Sequence, residues 1–87
     1  MKILITGTAG FIASHIIKEL LKDKNNYIIG IDNLYSGTQD NLDFIKTQDK
    51  DNKFKFIEAD IRDFVNINKI VKENNIKQIY HLAAIVS

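Results

Sequence analysis

Two glycines and one aspartate near the amino terminus have the spacing of an anion-binding turn beside an acidic strand end. Gly7 and Gly10 follow a short apolar run, and Asp32 stands about twenty positions further on. Gly7 permits a tight bend, and Gly10 lets the backbone approach a diphosphate without a Cβ in the way. The free N–H groups that open a following helix would face the anion with the positive end of the helix dipole. The pattern therefore favours a diphosphate-binding turn.

The glycine spacing is looser than that of the usual dinucleotide fingerprint. The sequence has Gly7-x-x-Gly10-x-x-Ala13, so that Ala13 stands where a third glycine is common. That position serves close packing of helix on strand, which alanine can provide. A Walker-type phosphate loop is excluded because no Gly-Lys-Ser/Thr follows. A glycine turn that joins strand to helix without any ligand is the alternative that stays open.

Asp32 is the candidate for nucleotide selectivity. A carboxylate at the tip of a second strand accepts hydrogen bonds from both ribose hydroxyls of an adenosine and repels a 2′-phosphate. Asp32 therefore favours NAD over NADP. The alternative is a strand-end aspartate that caps the following turn, which is common for single aspartates.

Alternating strands and helices must position these residues. Apolar runs predict four buried strands, over residues 3–5, 27–31, 54–60 and 76–82, with a short helical stretch around residues 41–45. The fold class is therefore α/β, a Rossmann-like parallel sheet with the element order β-α-β-α-β-α-β. Right-handed crossovers give the strand order 3-2-1-4, which is the first half of a doubly wound fold.

Helical spacing predicts which faces of the first and last helices are buried. Asp63 is the predicted N-cap of the last helix. The predicted buried face of the first helix comprises Ile12, Ile16, Ile17, Leu20 and Leu21. That of the last helix comprises Phe64, Ile67, Ile70 and Val71.

Composition excludes several classes of function. The net charge of +1, from 12 basic and 11 acidic residues, gives no field that would favour nucleic acid or an anionic membrane as a partner. Cysteine is absent, which excludes disulfides and thiolate metal sites, and no metal site is predicted. No apolar run approaches a membrane span, and the first residues lack an export signal. The expected location is cytoplasmic.

Together these residues resemble the extended short-chain dehydrogenase/reductase family, and within it the NAD-dependent nucleotide-sugar epimerases and dehydratases. The resemblance covers nearly all of the chain. Its motifs are TGTAGFIASH at 6–15, DNLYSG at 32–37, DIRD at 60–63 and HLAA at 81–84. The Asn-Leu pair at 41–42 is most similar to UDP-sugar 4-epimerases.

The resemblance implies roles in binding NAD for several residues. Backbone groups of Phe11 and Ile12 would meet the pyrophosphate, and Asp60 and Ile61 would recognise adenine. The adenosine ribose would be held by Asp32, with Asn33, Leu34, Ser36 and Gly37 around it. Leu82, Ala83 and Ala84 would pass under the cofactor. His81, at a strand end, is interpreted as structural.

The family also implies a catalytic pair that these residues lack. Proton transfer in the family uses Tyr-x-x-x-Lys on a helix, but Tyr27, Tyr35 and Tyr80 are followed four positions on by Ile, Gln and Ala. No catalytic residue is therefore predicted, and the chain is expected to be inactive alone. Residues 1–87 are expected to be the amino-terminal part of an NAD-binding domain, without its second half or the substrate domain.

The leading hypothesis is an amino-terminal segment of a nucleotide-sugar epimerase, which would act through a keto-sugar intermediate on a nucleotide-sugar substrate. The alternatives are a 4,6-dehydratase segment and a stand-alone, non-catalytic NAD-binding module. A flavodoxin-like or receiver-like signalling domain is disfavoured, because receivers carry acidic residues after the first strand, where this chain has glycines. A sheet of this size with one thinly covered face is also expected to be marginally stable and to self-associate through that face or the open edge.

Overall fold

The apolar runs form strands of one sheet, and the amphipathic segments between them form helices. The computed structural model describes residues 1–34 and 38–82. In chain order, these residues form β1 (Lys2–Thr6), α1 (Phe11–Leu20), β2 (Tyr27–Asp32), α2 (Gln39–Gln48), β3 (Phe54–Glu58), α3 (Phe64–Glu73) and β4 (Gln78–His81).

All of the strand pairs are parallel, and the order across the sheet is β3-β2-β1-β4. The predicted α/β class and the strand order 3-2-1-4 are thereby confirmed. Leu4 lies opposite Ile29 on one side and Ile79 on the other, which fixes the register of the three strands. Because the strands are parallel, their carboxyl ends, including Thr6, Asp32 and His81, meet at one edge.

The face covered by α1 and α2 carries the larger part of the core. Ile5, Ile17 and Ile45 are fully buried there. Gly30 of β2 lies under the glycine turn, where an added Cβ would be 2.5 Å from the side chain of Thr8 and 2.9 Å from Phe54. The absence of a side chain at Gly30 therefore lets the turn pack directly on the sheet, because a core this dense does not admit an extra methyl group.

In the part of the chain that the structure describes, α3 is the only helix that covers the opposite face. Leu4, Ile29, Ile31 and Ile70 form a smaller buried cluster there. On the same face, Ile79 of β4 is 54% exposed. This thin cover agrees with the sequence-based expectation that one face of the sheet is thinly covered.

Polar side chains fix the ends of the elements. Thr38 caps α2 by accepting from Asn41 N, and Asp63 caps α3 as predicted by accepting from Asn66 N. The buried ammonium of Lys53 donates to the carbonyl oxygens of Leu21 and Asp23 at 3.1 and 2.9 Å. Lys53 thus joins the end of α1 to the start of β3, and it gives the carbonyl of the C-cap residue Leu21 a partner that the helix itself does not supply.

Two predicted core residues are exposed instead. Ile12 is 71% and Phe64 is 74% exposed. Both stand in the first turn of a helix that runs back from the carboxyl edge, so that the sheet does not extend beneath them. Ala13, Ser14 and Ile17 supply the buried side of α1 in place of Ile12. β3 and β4 are also shorter than predicted, ending at Glu58 and beginning at Gln78.

None of the three helices in the described part of the chain is long and apolar enough to cross a membrane.

Candidate functional site

The turn between β1 and α1 is tightly folded and attached to β2. Gly7 has φ 75°, in the left-handed region that favours glycine. The amides of Gly7 and Thr8 both donate to the carbonyl oxygen of Ile31, at 2.9 and 3.2 Å. A Cβ on Gly10 would lie 3.2 Å from the carbonyl oxygen of Gly7, so that a larger residue would require this carbonyl to move by a few tenths of an ångström. The predicted tight bend is present.

The first turn of α1 presents backbone donors at the carboxyl edge of the sheet. Gly10 is the N-cap, and no side chain caps this helix, whereas α2 and α3 are both capped. The amides of Phe11, Ile12 and Ala13 are those that a helix leaves without internal partners. An anion placed before them would gain these donors and the positive end of the dipole.

The carboxylate of Asp32 joins the glycine turn to the end of β2. The residue is 9% exposed, and its carboxylate accepts from Ala9 N at 2.9 Å and from Leu34 N at 2.6 Å. The bond to Leu34 is the turn-capping role considered as an alternative from the sequence. An ionised carboxylate has about four lone-pair sites, so that these two bonds leave capacity for ribose hydroxyls. The ribose role of Asp32 stays a prediction.

The other predicted contacts around the ribose are only partly described. Asn33 is exposed, and Leu34 is half-buried. Leu34 has φ 61°, which is uncommon for a leucine, and the hydrogen bond from its amide to the Asp32 carboxylate helps to hold this conformation. Ser36, Gly37, Ala83 and Ala84 lie outside the described residues.

Asp60 and Arg62 form an ion pair just beyond β3, at the same edge as Asp32. Arg62 Nη2 lies 2.7 Å from Asp60 Oδ2, Nε lies 3.1 Å from both oxygens, and the Arg62 amide donates to Oδ1 at 2.9 Å. The Arg62 side chain, and after it the Arg62 amide, lowers the pKa of the Asp60 carboxyl from 3.8 to about 2. Asp60 is therefore an ionised acceptor at neutral pH. Ile61 beside it is half-buried.

Thr6 and His81 link β1 to β4 at the point where the strand order reverses. Thr6 Oγ1 lies 2.8 Å from His81 Nδ1 and accepts from Leu82 N at 3.1 Å. The Leu82 amide also lies 3.2 Å from the carbonyl oxygen of Thr6. The structural interpretation of His81 agrees with these bonds. The part of Thr6 was missed, although a hydroxyl residue and a histidine at the ends of two predicted neighbouring strands could have suggested it.

Two open grooves lie among the described residues. One, of about 440 Å³, runs along α1 between Phe11, Ile16 and Leu20. The other, of about 400 Å³, lies at the amino edge of the sheet and is lined by Lys2, Lys55 and Asn74, among others. The described residues contain no cluster of histidine or acidic side chains that could hold a metal ion.

Comparison with known proteins gives the family of the chain. The sequence profile of the family described as GDP-mannose 4,6 dehydratase matches residues 4–87. The chain belongs to this family. The resemblance to the nucleotide-sugar epimerases and dehydratases, inferred from the motifs, is thereby confirmed.

Relatives within the family have more than one activity. The UDP-glucose 4-epimerase of Mycolicibacterium smegmatis is 39% identical over 87 residues, which are 100% of this chain and 26% of that protein. A crystal structure of dTDP-glucose 4,6-dehydratase from Bacillus anthracis in complex with NAD superposes with a TM-score of 0.85 at 31% identity, covering 98% of this chain and 27% of that one.

A UDP-glucose 4-epimerase is equally similar in structure. The enzyme from Stenotrophomonas maltophila, with bound NAD and formylated UDP-arabinopyranose, has a TM-score of 0.87 at 30% identity, covering 100% of this chain and 25% of that one. The chain thus spans about a quarter of the length of these members of the family.

Asp32→Asn is expected to destabilise the fold. An amide offers only one acceptor oxygen in place of two, so that the amide of Ala9 or Leu34 loses its partner at a cost of about 1–3 kcal/mol. Urea unfolding followed by circular dichroism measures the change. The matched control is Asp43→Asn. Asp43 is exposed and accepts from the side chain of Gln39, so that the expected change in the free energy of unfolding is below about 0.5 kcal/mol. Equal stability of the two variants would contradict the structural role of Asp32.

The Asp60–Arg62 pair is expected to show in a pH titration. Because the folded-state pKa of Asp60 is lowered to about 2, the contribution of the pair is complete above the ordinary pKa of 3.8 and is lost as the pH falls through about 2. In Arg62→Ala the pKa should return towards 3.8, and Arg62→Lys should lie between the two. The NMR shift of the Asp60 carboxyl carbon, followed against pH, measures this pKa in the wild-type protein and in both variants. An unchanged midpoint in Arg62→Ala would show that Arg62 is not the cause.

Proposed function

We propose that the chain is the NAD-binding amino-terminal segment of a nucleotide-sugar epimerase of the UDP-sugar 4-epimerase type. The observation that carries the proposal is the start of α1, which has no side-chain cap and directly follows the Gly7–Gly10 turn, with the Asp32 carboxylate at the adjoining strand end. Donors for a diphosphate and an acceptor for a ribose are thus side by side. The NAD recorded with both structural relatives supports this choice of cofactor.

The residues present fit the cofactor. The amides of Phe11 and Ile12 would hold the pyrophosphate, and the lack of a side chain at Gly10 leaves room for its approach. Asp32 would accept from the ribose hydroxyls and exclude a 2′-phosphate by charge. Asn33, Leu34, Ser36 and Gly37 would complete this part of the pocket.

The remaining predicted contacts surround the rest of the cofactor. Asp60, ionised and held by Arg62, would accept from the adenine amine, and Ile61 N would donate to a ring nitrogen. Leu82, Ala83 and Ala84 would lie under the cofactor, where small side chains permit close approach. The bonds from Leu82 N to Thr6 hold the start of this stretch against β1.

In the proposed function the redox chemistry comes from the cofactor, and the residues of this chain hold it. When bound, NAD supplies reversible hydride transfer with the sugar, which passes through a keto form. The acid/base pair expected for the family is Tyr-x-x-x-Lys, and residues 1–87 contain no such pair. The part of this chain is therefore to bind and orient the cofactor.

A 4,6-dehydratase is the alternative within the same family. The dehydratase and epimerase structures match this chain with nearly the same identity, 31% and 30%. Both were crystallised with NAD, so that a cofactor-binding segment is expected to be alike in the two activities. The Asn-Leu pair at 41–42 favours the epimerase. A stand-alone NAD-binding module would bind the cofactor equally and would never turn over a sugar.

Calorimetric titration with NAD and with NADP tests the proposal. NAD is expected to bind at least about tenfold more tightly, because the Asp32 carboxylate repels a 2′-phosphate. Asp32→Ala should weaken NAD binding and reduce the preference, whereas Asp43→Ala should change neither. Circular dichroism of each sample confirms that it is folded. A folded protein that does not bind NAD would contradict the proposal, and equal affinities would contradict the role of Asp32.

We also propose that the chain self-associates through β4. Within the described residues β4 pairs only with β1, and Ile79 is 54% exposed beside this edge. Unpaired strand edges with apolar side chains are templates for further pairing. Sedimentation velocity should show a mass that rises with concentration, and Ile79→Lys should lower it more than Val65→Lys, a control on an 83% exposed residue of α3. A monomer at all concentrations would contradict this association.

A further inference from the structure

The peptide group between Ala9 and Gly10 is held from both sides. The Ala9 carbonyl oxygen accepts from Asn41 Nδ2 at 2.7 Å and from Thr38 N at 3.1 Å. The Gly10 amide at the other side of the same peptide donates to the carbonyl oxygen of Gly7 at 3.1 Å. Since a carbonyl oxygen can only accept, the nitrogen of the Asn41 side chain must face it.

Holding this peptide orients the residues that follow it. A peptide group is planar, so that bonds to its carbonyl oxygen and to its N–H fix the direction of the whole plane. The next rotatable bonds are those of Gly10, the most freely rotating residue type, and after them come the amides of Phe11 and Ile12. The Ala9–Gly10 plane is fixed on one side of Gly10, and α1 is held on the other side by its buried residues Ala13, Ser14 and Ile17. With both sides held, the backbone angles of Gly10 are restricted, and the amides keep one direction.

Among the described residues, Asn41 is also the only side chain that donates to this peptide. The amide of Ala9 itself belongs to the preceding peptide, and it donates to Asp32 Oδ2 at 2.9 Å. Asn41 thus connects α2 to the turn through the Ala9 carbonyl, whereas Asp32 holds the Ala9 amide. The amide of Asn41 also donates to the Thr38 hydroxyl at the cap of α2, at 3.3 Å.

We propose that Asn41 is a positioning residue for the diphosphate: by donating to the Ala9 carbonyl, it fixes the Ala9–Gly10 peptide and so aims the first amides of α1 at the ligand. This inference rests on the proposed binding of NAD. Asn41 does not itself touch the cofactor. Its effect is therefore confined to the part of the ligand that those amides hold, which is the diphosphate, and does not extend to adenosine.

Titration of Asn41→Ala with NAD and with adenosine tests the inference. Loss of one hydrogen bond predicts a Kd for NAD that is raised about two- to tenfold, with the Kd for adenosine changed less than about twofold. Asn68→Ala, at an exposed position of α3 on the other face, is the matched control and should change neither constant. NMR titration provides the constants for both ligands.

A merely structural role would not separate the two ligands. If Asn41→Ala weakened NAD and adenosine by the same factor, or weakened neither, the positioning role would be overturned. Wild-type protein that is folded but binds no NAD would instead overturn the proposed function itself, and this inference with it. If the wild-type protein binds NAD but Asn41→Ala affects NAD and adenosine alike, only this inference is overturned.

Amide exchange measures the same effect without a ligand. In Asn41→Ala the Gly10 amide is expected to exchange faster, while amides of α3 keep their rates. If this variant does not fold, Asn41→Asp replaces it, because an acid near the start of α2 favours the helix but cannot donate to the Ala9 carbonyl. An unchanged Gly10 rate in the folded variant would overturn the inference.

Discussion

The hydrogen bonds that the Asp32 carboxylate accepts from Ala9 and Leu34 determine how the candidate site is arranged. They join three pieces of backbone, the glycine turn, the end of β2 and the segment after it, through one nearly buried side chain. A buried carboxylate is stable only when its oxygens are well paired, so that its surroundings must hold these donors in place. The same group that selects the nucleotide in the proposed function is thus also a structural anchor.

Helices cover the two faces of the sheet unevenly, and the better-covered face is the one that supports the glycine turn. The face under α1 and α2 is densely packed, down to the contact between Thr8 and Gly30 that leaves no room for a side chain. This packing gives the turn a rigid support. The face under α3 has fewer buried side chains and leaves Ile79 half-exposed at the edge. The proposed cofactor site and the proposed association edge accordingly lie at different edges of the sheet.

The sequence predicted the strand order, the tight bend at Gly7 and the cap at Asp63, because these depend on local chemistry: apolar runs, a glycine after a strand, an aspartate before a helix. It was wrong about Ile12 and Phe64, because helical spacing shows which residues share a face but not how far the sheet extends beneath it. The contacts of Asn41 and Thr38 with the Ala9 carbonyl could not be predicted. Their acceptor is a backbone oxygen about thirty residues away in the chain. Because every residue type has such an oxygen, the sequence carries no pattern that would indicate these contacts.

The proposed cofactor site is best tested by mapping where NAD binds on the folded protein. Amide NMR spectra recorded during titration with NAD are predicted to show their largest shifts at Phe11 and Ile12, with smaller ones around Asp32, because the diphosphate lies on the start of α1 in this account. Shifts confined to the groove at the amino edge of the sheet, around Lys2 and Lys55, would contradict it, since that groove lies at the opposite ends of the strands.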